Sequence, residues 1–471
     1  MTIEVQPSST ARLIAMQALN EWDRSQRRTN DDTGSHCLYA KQILDKLLDR
    51  TAQRQRATDL TFGTIRNRNA IDIVLAMIAA TPPKRVKAEL INIIRIGIYE
   101  LVYQPQTPDY SIINEAAENT KNLGGRKQVG FVNAILRKVA SNIVNRRVSL
   151  STCNPRKALP HDAYTGCEFA KCLLPDTDAA AAEYFSAAFS LPGWLVRSWL
   201  DEFGPDATRR ICIASNRRPS VYIRPNALRT TTYELAESFT RAGIDCDIAF
   251  DDSMIHLRSQ QNVTLLPGFD EGLFAVQDLT AAAPLKVLQL SPGNLILDVC
   301  AAPGTKTTQL AELTSDKAEI LATDIDNSRL ERLRQNIERL GHNCIKVIPY
   351  DSLHECVAKA GHPDFVLLDV PCSNTGVLAK RPEVRHRLKQ KAVDKLARTQ
   401  TELLGIAALL LKPSGRICYT TCSILNQENA HVVADFLSAN PNFVLESELL
   451  TLPSAERFDH DGGYYAVIKK A

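Results

Sequence analysis

Apolar positions change their spacing three times along the chain, and each change predicts a different architecture. Up to Lys138 they recur every three to four residues, as on helices with one buried face: Ala11 to Trp22, Tyr39 to Leu48, Gln53 to Ile78, Lys87 to Leu101, Ser111 to Lys121 and Gly130 to Lys138. Residues 1–150 therefore read as all-helical. Between 151 and 185 the pattern dissolves among Pro, Asp and Ala, which predicts a surface linker or insertion reaching to about residue 190. From 191 to 285 helical and strand spacings alternate. Helices are expected at Trp194 to Phe203 and Thr231 to Ala242, and strands at Ser220 to Arg224, Met254 to Leu257 and Phe274 to Val276, the mix of a small α+β module. From 286 to 471 short apolar runs alternate with helical segments: Leu295 to Val299, Glu319 to Asp324, Ile345 to Tyr350, Phe365 to Leu368 and Gly415 to Thr420. Such runs are the mark of strands buried on both faces, and their alternation with helices predicts a doubly wound, mostly parallel sheet.

Chemistry gathers where these strands end. Leu295 to Val299 runs into Cys300-Ala301-Ala302-Pro303-Gly304-Thr305-Lys306 and then into a helical segment. Small residues at this bend let a ligand approach the backbone, and the helix start offers unpaired N–H groups. Asp324, Asp351 and Asp369 each close one of the next three strands. In open parallel sheets ligands bind beyond the strand ends, where an acid grips a ribose diol. The loop lacks the G-x-G-x-x-G pattern of dinucleotide binders, so three acids in series rather than the loop alone suggest a nucleoside site.

Two cysteines follow directly on strands: Cys372 in Asp369-Val370-Pro371-Cys372-Ser373-Asn374-Thr375-Gly376, and Cys422 in Thr420-Thr421-Cys422-Ser423. Cys418 lies inside the second strand and is expected in the core. Most free cysteines merely pack, but these two sit in turn-forming sequence beside a cofactor loop. A thiolate is a strong nucleophile. Added to carbon 6 of cytosine, it makes carbon 5 electron-rich enough to attack the sulfonium methyl of S-adenosylmethionine; loss of the carbon 5 proton then expels the thiolate. An acid such as Asp369 can hydrogen-bond the cytosine edge and favour the addition.

At these residues the chain resembles the RsmB (Fmu/Sun) family of ribosomal RNA cytosine-5 methyltransferases, within the NOL1/NOP2/Sun group. The CAAPGxK loop stands at Cys300 to Lys306, DxPCSxTG at Asp369 to Gly376 and TCS at Thr421 to Ser423. The segment Arg95 to Leu101 and the run from Gly130 to Arg137 are similar to the NusB-like helical domain that precedes the catalytic domain in that family. The resemblance implies a Rossmann-like class I methyltransferase domain over 286–471, preceded by a NusB-like RNA-binding domain and an RRM-like α+β module. It implies S-adenosyl-L-methionine as cofactor and small-subunit ribosomal RNA as substrate. Carried over residue by residue, it makes Cys422 the nucleophile and Cys372 the group assisting release, with Asp369 and Lys306 also catalytic. Cys300, Ala301, Ala302, Pro303, Gly304, Thr305, Lys306, Asp324, Asp351 and Asp369 become the cofactor contacts, and no metal is expected. DNA cytosine methyltransferases use the cysteine of the Pro-Cys motif instead, so the presence of both points to RNA.

The chain departs from the family at Thr305, where a second glycine is usual, at Val370 for alanine, at Asn374 for a small residue and at His386 for tryptophan. Thr305 would cost cofactor affinity if its position required positive φ. Two alternatives share these motifs: a transfer RNA cytosine-5 methyltransferase, and a non-catalytic, antitermination-like RNA-binding protein on a decayed methyltransferase fold.

Composition narrows this little further. A chain of 471 residues, 44% hydrophobic, is sized for about three globular domains. No apolar run approaches the roughly 18 residues of a membrane span, no signal pattern opens the chain, and 12 Cys without disulfide-type density suit a reducing cytoplasm. A monomer is expected. Cys153, His161, Cys167 and Cys172 lack the tight C-x2-C pairs of structural zinc. The net charge of +3 hides an asymmetry: residues 1–150 carry 22 Lys and Arg against 14 Asp and Glu, a surplus of eight, so the remainder is at −5. A basic first domain suits nucleic acid. Arg126, Lys127, Arg137, Lys138, Arg146 and Arg147 are candidate phosphate contacts there, and Arg217, Arg218 and Arg224 in the module.

Overall fold

The computed structural model describes residues 9–29, 39–121, 123, 125–249, 251–259 and 261–471. Its contacts divide into two compact units, Met1–Arg217 with Pro382–Arg387, and Arg218–Arg381 with Leu388–Ala471.

The first unit is built around helix Ala88–Tyr103, buried from Leu90 through Val102. A helix apolar on all sides must be surrounded, and Ala11–Thr29, Arg54–Arg66, Arg68–Met77, Asp109–Lys121 and Arg126–Ala140 surround it. Gly97 is needed for this packing, since a Cβ there would stand 2.8 Å from Leu136. Buried charges are paired: Arg12 donates twice to Glu100 at 2.6 and 2.8 Å, and Arg95 twice to Asp72 at 2.8 Å. The segment Gln53 to Ile78, expected as one helix, breaks at Asn67, whose amide donates to the Gly63 carbonyl at 3.0 Å. Asn competes for backbone partners in this way and favours helix ends.

Two further expectations need correction. The region read as all-helical ends in a strand, Ile143–Ser149, and the supposed linker completes an antiparallel sheet with Ala158–Pro160 and Thr165–Phe169. Leu159, Cys167 and Phe169 are fully buried. These strands are too short and too broken by Pro and Asp for alternation to show. Arg146, proposed for phosphate, lies on the first of them and donates to the carbonyls of Glu100, Leu101, Gln104 and Thr107 and to Asp109. It closes the open carbonyl end of the central helix, a position that favours a cation. His386 accepts a structural part in the same unit: its Nε2 lies 2.7 Å from the Ile65 carbonyl, and burial pulls its imidazole down to about 3, so it stays neutral.

The second unit joins a small sheet to a large one. The small sheet orders Cys246–Ile248, Ile255–Leu257, Val221–Pro225 and Phe274–Val276, all antiparallel, with helix Thr232–Arg241 on one face. The large sheet comprises β1 (Leu295–Asp298), β2 (Glu319–Ala322), β3 (Ile345–Val347), β4 (Phe365–Asp369), β5 (Arg416–Thr421), β6 (Phe443–Thr451) and β7 (Gly463–Lys470). Its order is β3-β2-β1-β4-β5-β7-β6, parallel through β5 and antiparallel thereafter. Residues alternate between two cores: Leu297, Val366, Leu368, Ile417 and Tyr419 on one face, and Ile296, Phe365, Leu367 and Cys418 on the other. The order reverses between β1 and β4, which opens the crevice at the carboxyl ends of these strands. Helix α1 (Thr305–Leu313) follows β1 and α2 (Asn327–Leu340) follows β2.

Candidate active site

The loop after β1 turns at Gly304. Its φ is +103°, and a Cβ there would meet Leu333 of α2 at 2.4 Å. Thr305 is the first residue of α1 and is not among the residues of positive φ, so the family's second glycine is dispensable here on conformational grounds. Asp324, 3% exposed beyond β2, accepts from the Ala302 N–H at 3.3 Å and from the Asp326 N–H at 3.0 Å, with Arg329 at 3.3 Å. The loop and its acid thus form one unit. Asp351 is exposed on the short turn Tyr350–Ser352 that follows β3.

Lys306 reaches from the first turn of α1 to Asp369 at the end of β4, with Nζ and Oδ1 2.8 Å apart. Burial pulls its ammonium down, but Asp369 and then Cys422 outweigh burial and the net shift is upward, so Lys306 remains a cation. The same Asp369 oxygen accepts from Thr420 at 3.0 Å, leaving Oδ2 for a ligand. Asp298 was passed over in the sequence, although an acid closing an apolar strand was the signal used for Asp324 and Asp369. It is 1% exposed, holds the Thr307 hydroxyl at 2.7 Å on Oδ2, and has no partner on Oδ1. Burial pushes it up to about 7, against the Thr307 bond and with help from Asp369.

The two cysteines, 50 residues apart in sequence, meet with their Sγ atoms 3.0 Å apart. Parallel pairing of β4 with β5, Asp369 opposite Thr420, brings both loops to the same sheet edge. The hydrogen bond to Cys422, then burial, pushes the Cys372 thiol well up, so Cys372 keeps its proton. Burial also pushes the Cys300 thiol up, which removes it as a rival nucleophile.

What fixes the cysteines was not visible in the sequence. Glu428 is wholly buried and accepts from the Ser373 N–H at 2.8 Å, the Ser423 hydroxyl at 2.6 Å and Gln400 at 3.2 Å, as well as from the Ser373 hydroxyl. One carboxylate therefore pins the residue after each cysteine. Gly376 completes the crossing of the loops: its N–H donates to the Cys422 carbonyl at 3.0 Å, and a Cβ on it would lie 2.3 Å from the Gly462 carbonyl oxygen. Beside Cys422 a pocket is lined by Lys306, Thr420, Asp278, Asp461 and Tyr465. Lys380 holds its carboxylate wall together, 2.6 Å from Asp278 and 2.9 Å from Asp461.

Arg224 belongs to this site's support and not to an RNA surface. It is 5% exposed, pairs with Glu312 at 2.7 and 3.0 Å, and donates to the Thr305 carbonyl at 2.8 Å and the Thr308 hydroxyl at 3.1 Å. A strand of the small sheet is thereby fastened to the first turn of α1, beside Lys306.

Comparison with known proteins agrees with this architecture. Residues 9–141 match the NusB family, 191–264 the RsmF/B-like ferredoxin-like domain, and 285–462 the family of 16S rRNA methyltransferase RsmB/F. Ribosomal RNA small subunit methyltransferase B of Yersinia pseudotuberculosis is 28% identical over 438 residues, 91% of this chain and 94% of that protein. The protein of the same name from Photorhabdus laumondii is 28% identical over 400 residues, 84% of this chain and 85% of its own. Among solved structures, PH0851 superposes with a TM-score of 0.73 at 23% identity, covering 99% of this chain and 100% of that one. NSun6 from Pyrococcus horikoshii, solved with SFG, gives a TM-score of 0.53 at 20% identity over 59% of this chain and 98% of its own. With its three domain matches in this order and relatives of one name along most of its length, the chain is similar throughout to the RsmB/F methyltransferases.

Proposed function

We propose that this protein transfers a methyl group from S-adenosylmethionine to carbon 5 of a cytosine in small-subunit ribosomal RNA, through a covalent bond between Cys422 and carbon 6. The observation that carries the reading is the pairing of two cysteines at 3.0 Å, one held protonated, beside the Lys306–Asp369 ion pair. The ribosomal substrate is taken from the family match and from the relatives' names.

The crevice suits the cofactor. Gly304 gives backbone access, Asp324 offers a buried carboxylate beside the loop for a ribose diol, and Asp298 has an unpartnered buried oxygen. Residues 300–306, with Asp324, Asp351 and Asp369, would hold it. S-adenosylmethionine supplies an electrophilic methyl group on a sulfonium cation, which the surrounding acids favour.

The chain's own residues do the rest. Asp369 Oδ2 takes the donor edge of the cytosine, and the cationic Lys306 favours the thiolate of Cys422, which adds to carbon 6. Carbon 5 gains nucleophilic character and receives the methyl group. A base then removes the carbon 5 proton, the electrons re-form the ring double bond, and the carbon–sulfur bond breaks. Cys372, protonated and in contact with the departing sulfur, donates a hydrogen bond that stabilises it as a leaving thiolate. In the NusB-like domain the exposed Arg126, Lys127, Arg137, Lys138 and Arg147 would meet phosphates and position the RNA without reading its sequence.

The test is transfer of labelled methyl to naked small-subunit ribosomal RNA and, in parallel, to unmodified transfer RNA, with identification of the product nucleoside. 5-Methylcytosine in ribosomal RNA alone supports the reading. Label in transfer RNA alone keeps the chemistry and overturns the substrate.

A further inference from the structure

Asn374 is one of the places where this chain departs from the family pattern inside the cysteine loop, and this departure reaches the reactive sulfur. Its backbone φ is +61°, a left-handed conformation that glycine adopts freely and asparagine tolerates. Its side-chain amide is fixed from both ends. The Cys372 carbonyl can only accept, so the NH₂ group faces it, at 2.8 Å; the Arg381 guanidinium can only donate, so Oδ1 faces it, at 3.0 Å. With the amide so oriented, Oδ1 lies 3.4 Å from Cys422 Sγ.

An acceptor at that place has one consequence. Cys422 can donate its S–H to Oδ1 as a thiol, whereas as a thiolate it would face the negative end of the amide dipole. A hydrogen bond to the neutral form disfavours the charged form. The bonds then run in one direction, from Cys372 S–H to Cys422 Sγ and from Cys422 S–H to Asn374. Lys306 acts in the opposite sense, its positive charge favouring the thiolate.

We propose that Asn374 is a catalytic residue of this site that holds Cys422 in its thiol form and so limits how readily the nucleophile is generated. This rests on Cys422 being the nucleophile. The experiment is the rate of alkylation by iodoacetamide at pH 7 in the full-length protein, with the labelled cysteine identified by peptide mass. Asn374→Gly, which suits the left-handed backbone, removes the acceptor and should speed labelling of Cys422 roughly two- to tenfold, the ordinary net worth of one hydrogen bond. Asn374→Asp, which places a full negative charge there, should slow it below wild type and stands as an independent test should the glycine variant fail to fold. Labelling in Asn374→Gly at or below the wild-type rate, or in Asn374→Asp at or above it, overturns the proposal. If Cys422 labels first in wild type but the ranking fails, only the role of Asn374 falls. If Cys372 labels first, the assignment of the nucleophile falls with it.

Discussion

Replacing Glu428 with alanine should separate the two cysteines from their scaffold without touching either sulfur. The carboxylate is inaccessible to solvent and serves four donors: the Ser373 N–H, the hydroxyls of Ser373 and Ser423, and Gln400. The hydroxyls can turn to Thr375, which lies 3.3 Å from Ser373 and 2.9 Å from Ser423, and Gln400 keeps the Pro371 carbonyl at 2.9 Å. The Ser373 N–H has no such recourse, and half of Gln400's donor capacity is stranded. Two buried donors left unpaired cost roughly 1–3 kcal/mol each, and the void left by the carboxylate adds to that. A loss of about 3–5 kcal/mol is expected, out of the roughly 5–15 kcal/mol typical of folded proteins. Calorimetry should show a melting point lowered by about 6–20 °C, at roughly 2–4 °C per kcal/mol for a unit of this size. Single-turnover methyl transfer should fall by about a hundredfold, the ordinary consequence of a 1 Å misplacement, while cofactor binding, which we propose for the loops after β1 and β2, stays as in wild type. Glu428→Gln keeps one acceptor for the Ser373 N–H and should show about half the loss of stability. An alanine variant that melts within 2 °C of wild type, on the order of 1 kcal/mol, and methylates at its rate would refute the argument that Glu428 positions the cysteines.

Two further outcomes are expected. Asp298 is raised from 3.8 to about 7, so the folded state binds its proton more tightly than the unfolded chain; its contribution is present in acid and is lost as pH rises through 7. Asp298→Asn should therefore gain on wild type between pH 5 and pH 7, by about 1.4 kcal/mol per unit at most, and hold a constant margin above pH 8; a margin independent of pH would contradict this. Arg224→Met leaves Glu312 charged and buried, and should cost roughly 3–5 kcal/mol without altering the salt dependence of RNA binding; a fall in the slope of log K against log salt by about 0.7–0.9 would restore Arg224 to the RNA surface.

The sheet was legible because its central parallel strands are buried on both faces and so read as unbroken apolar runs, from Leu295 to Val299 and again from Phe365 to Leu368. β6 escaped notice for the opposite reason: it is an edge strand, exposed from Val444 through Leu449, and its sequence alternates too weakly to announce a strand. The cysteines, Asp324 and Asp369 stood out in the sequence because they lie at or just past strand ends, and strand ends converge in this topology. Glu428 lies in the turn Asn426–Glu428, where a charged residue gives every sign of being solvated; only the crossing of two loops over it makes it the centre of a network. Arg146 and Arg224 failed as phosphate contacts for the same reason in reverse. An arginine in a basic stretch looks free until the fold brings carbonyls or a carboxylate to it, and a long guanidinium is the side chain best able to satisfy several at once.

The central claim is that Cys422 attacks and Cys372 assists release. Its most direct test is to incubate wild type, Cys422→Ala and Cys372→Ala with S-adenosylmethionine and unmodified small-subunit ribosomal RNA, and to look for covalent protein–RNA adducts on denaturing gels together with 5-methylcytosine in the RNA. Wild type should give product without lasting adduct, Cys372→Ala a stable adduct, and Cys422→Ala neither. An adduct with Cys422→Ala but not with Cys372→Ala, or methylation by Cys422→Ala at the wild-type rate, would contradict the account.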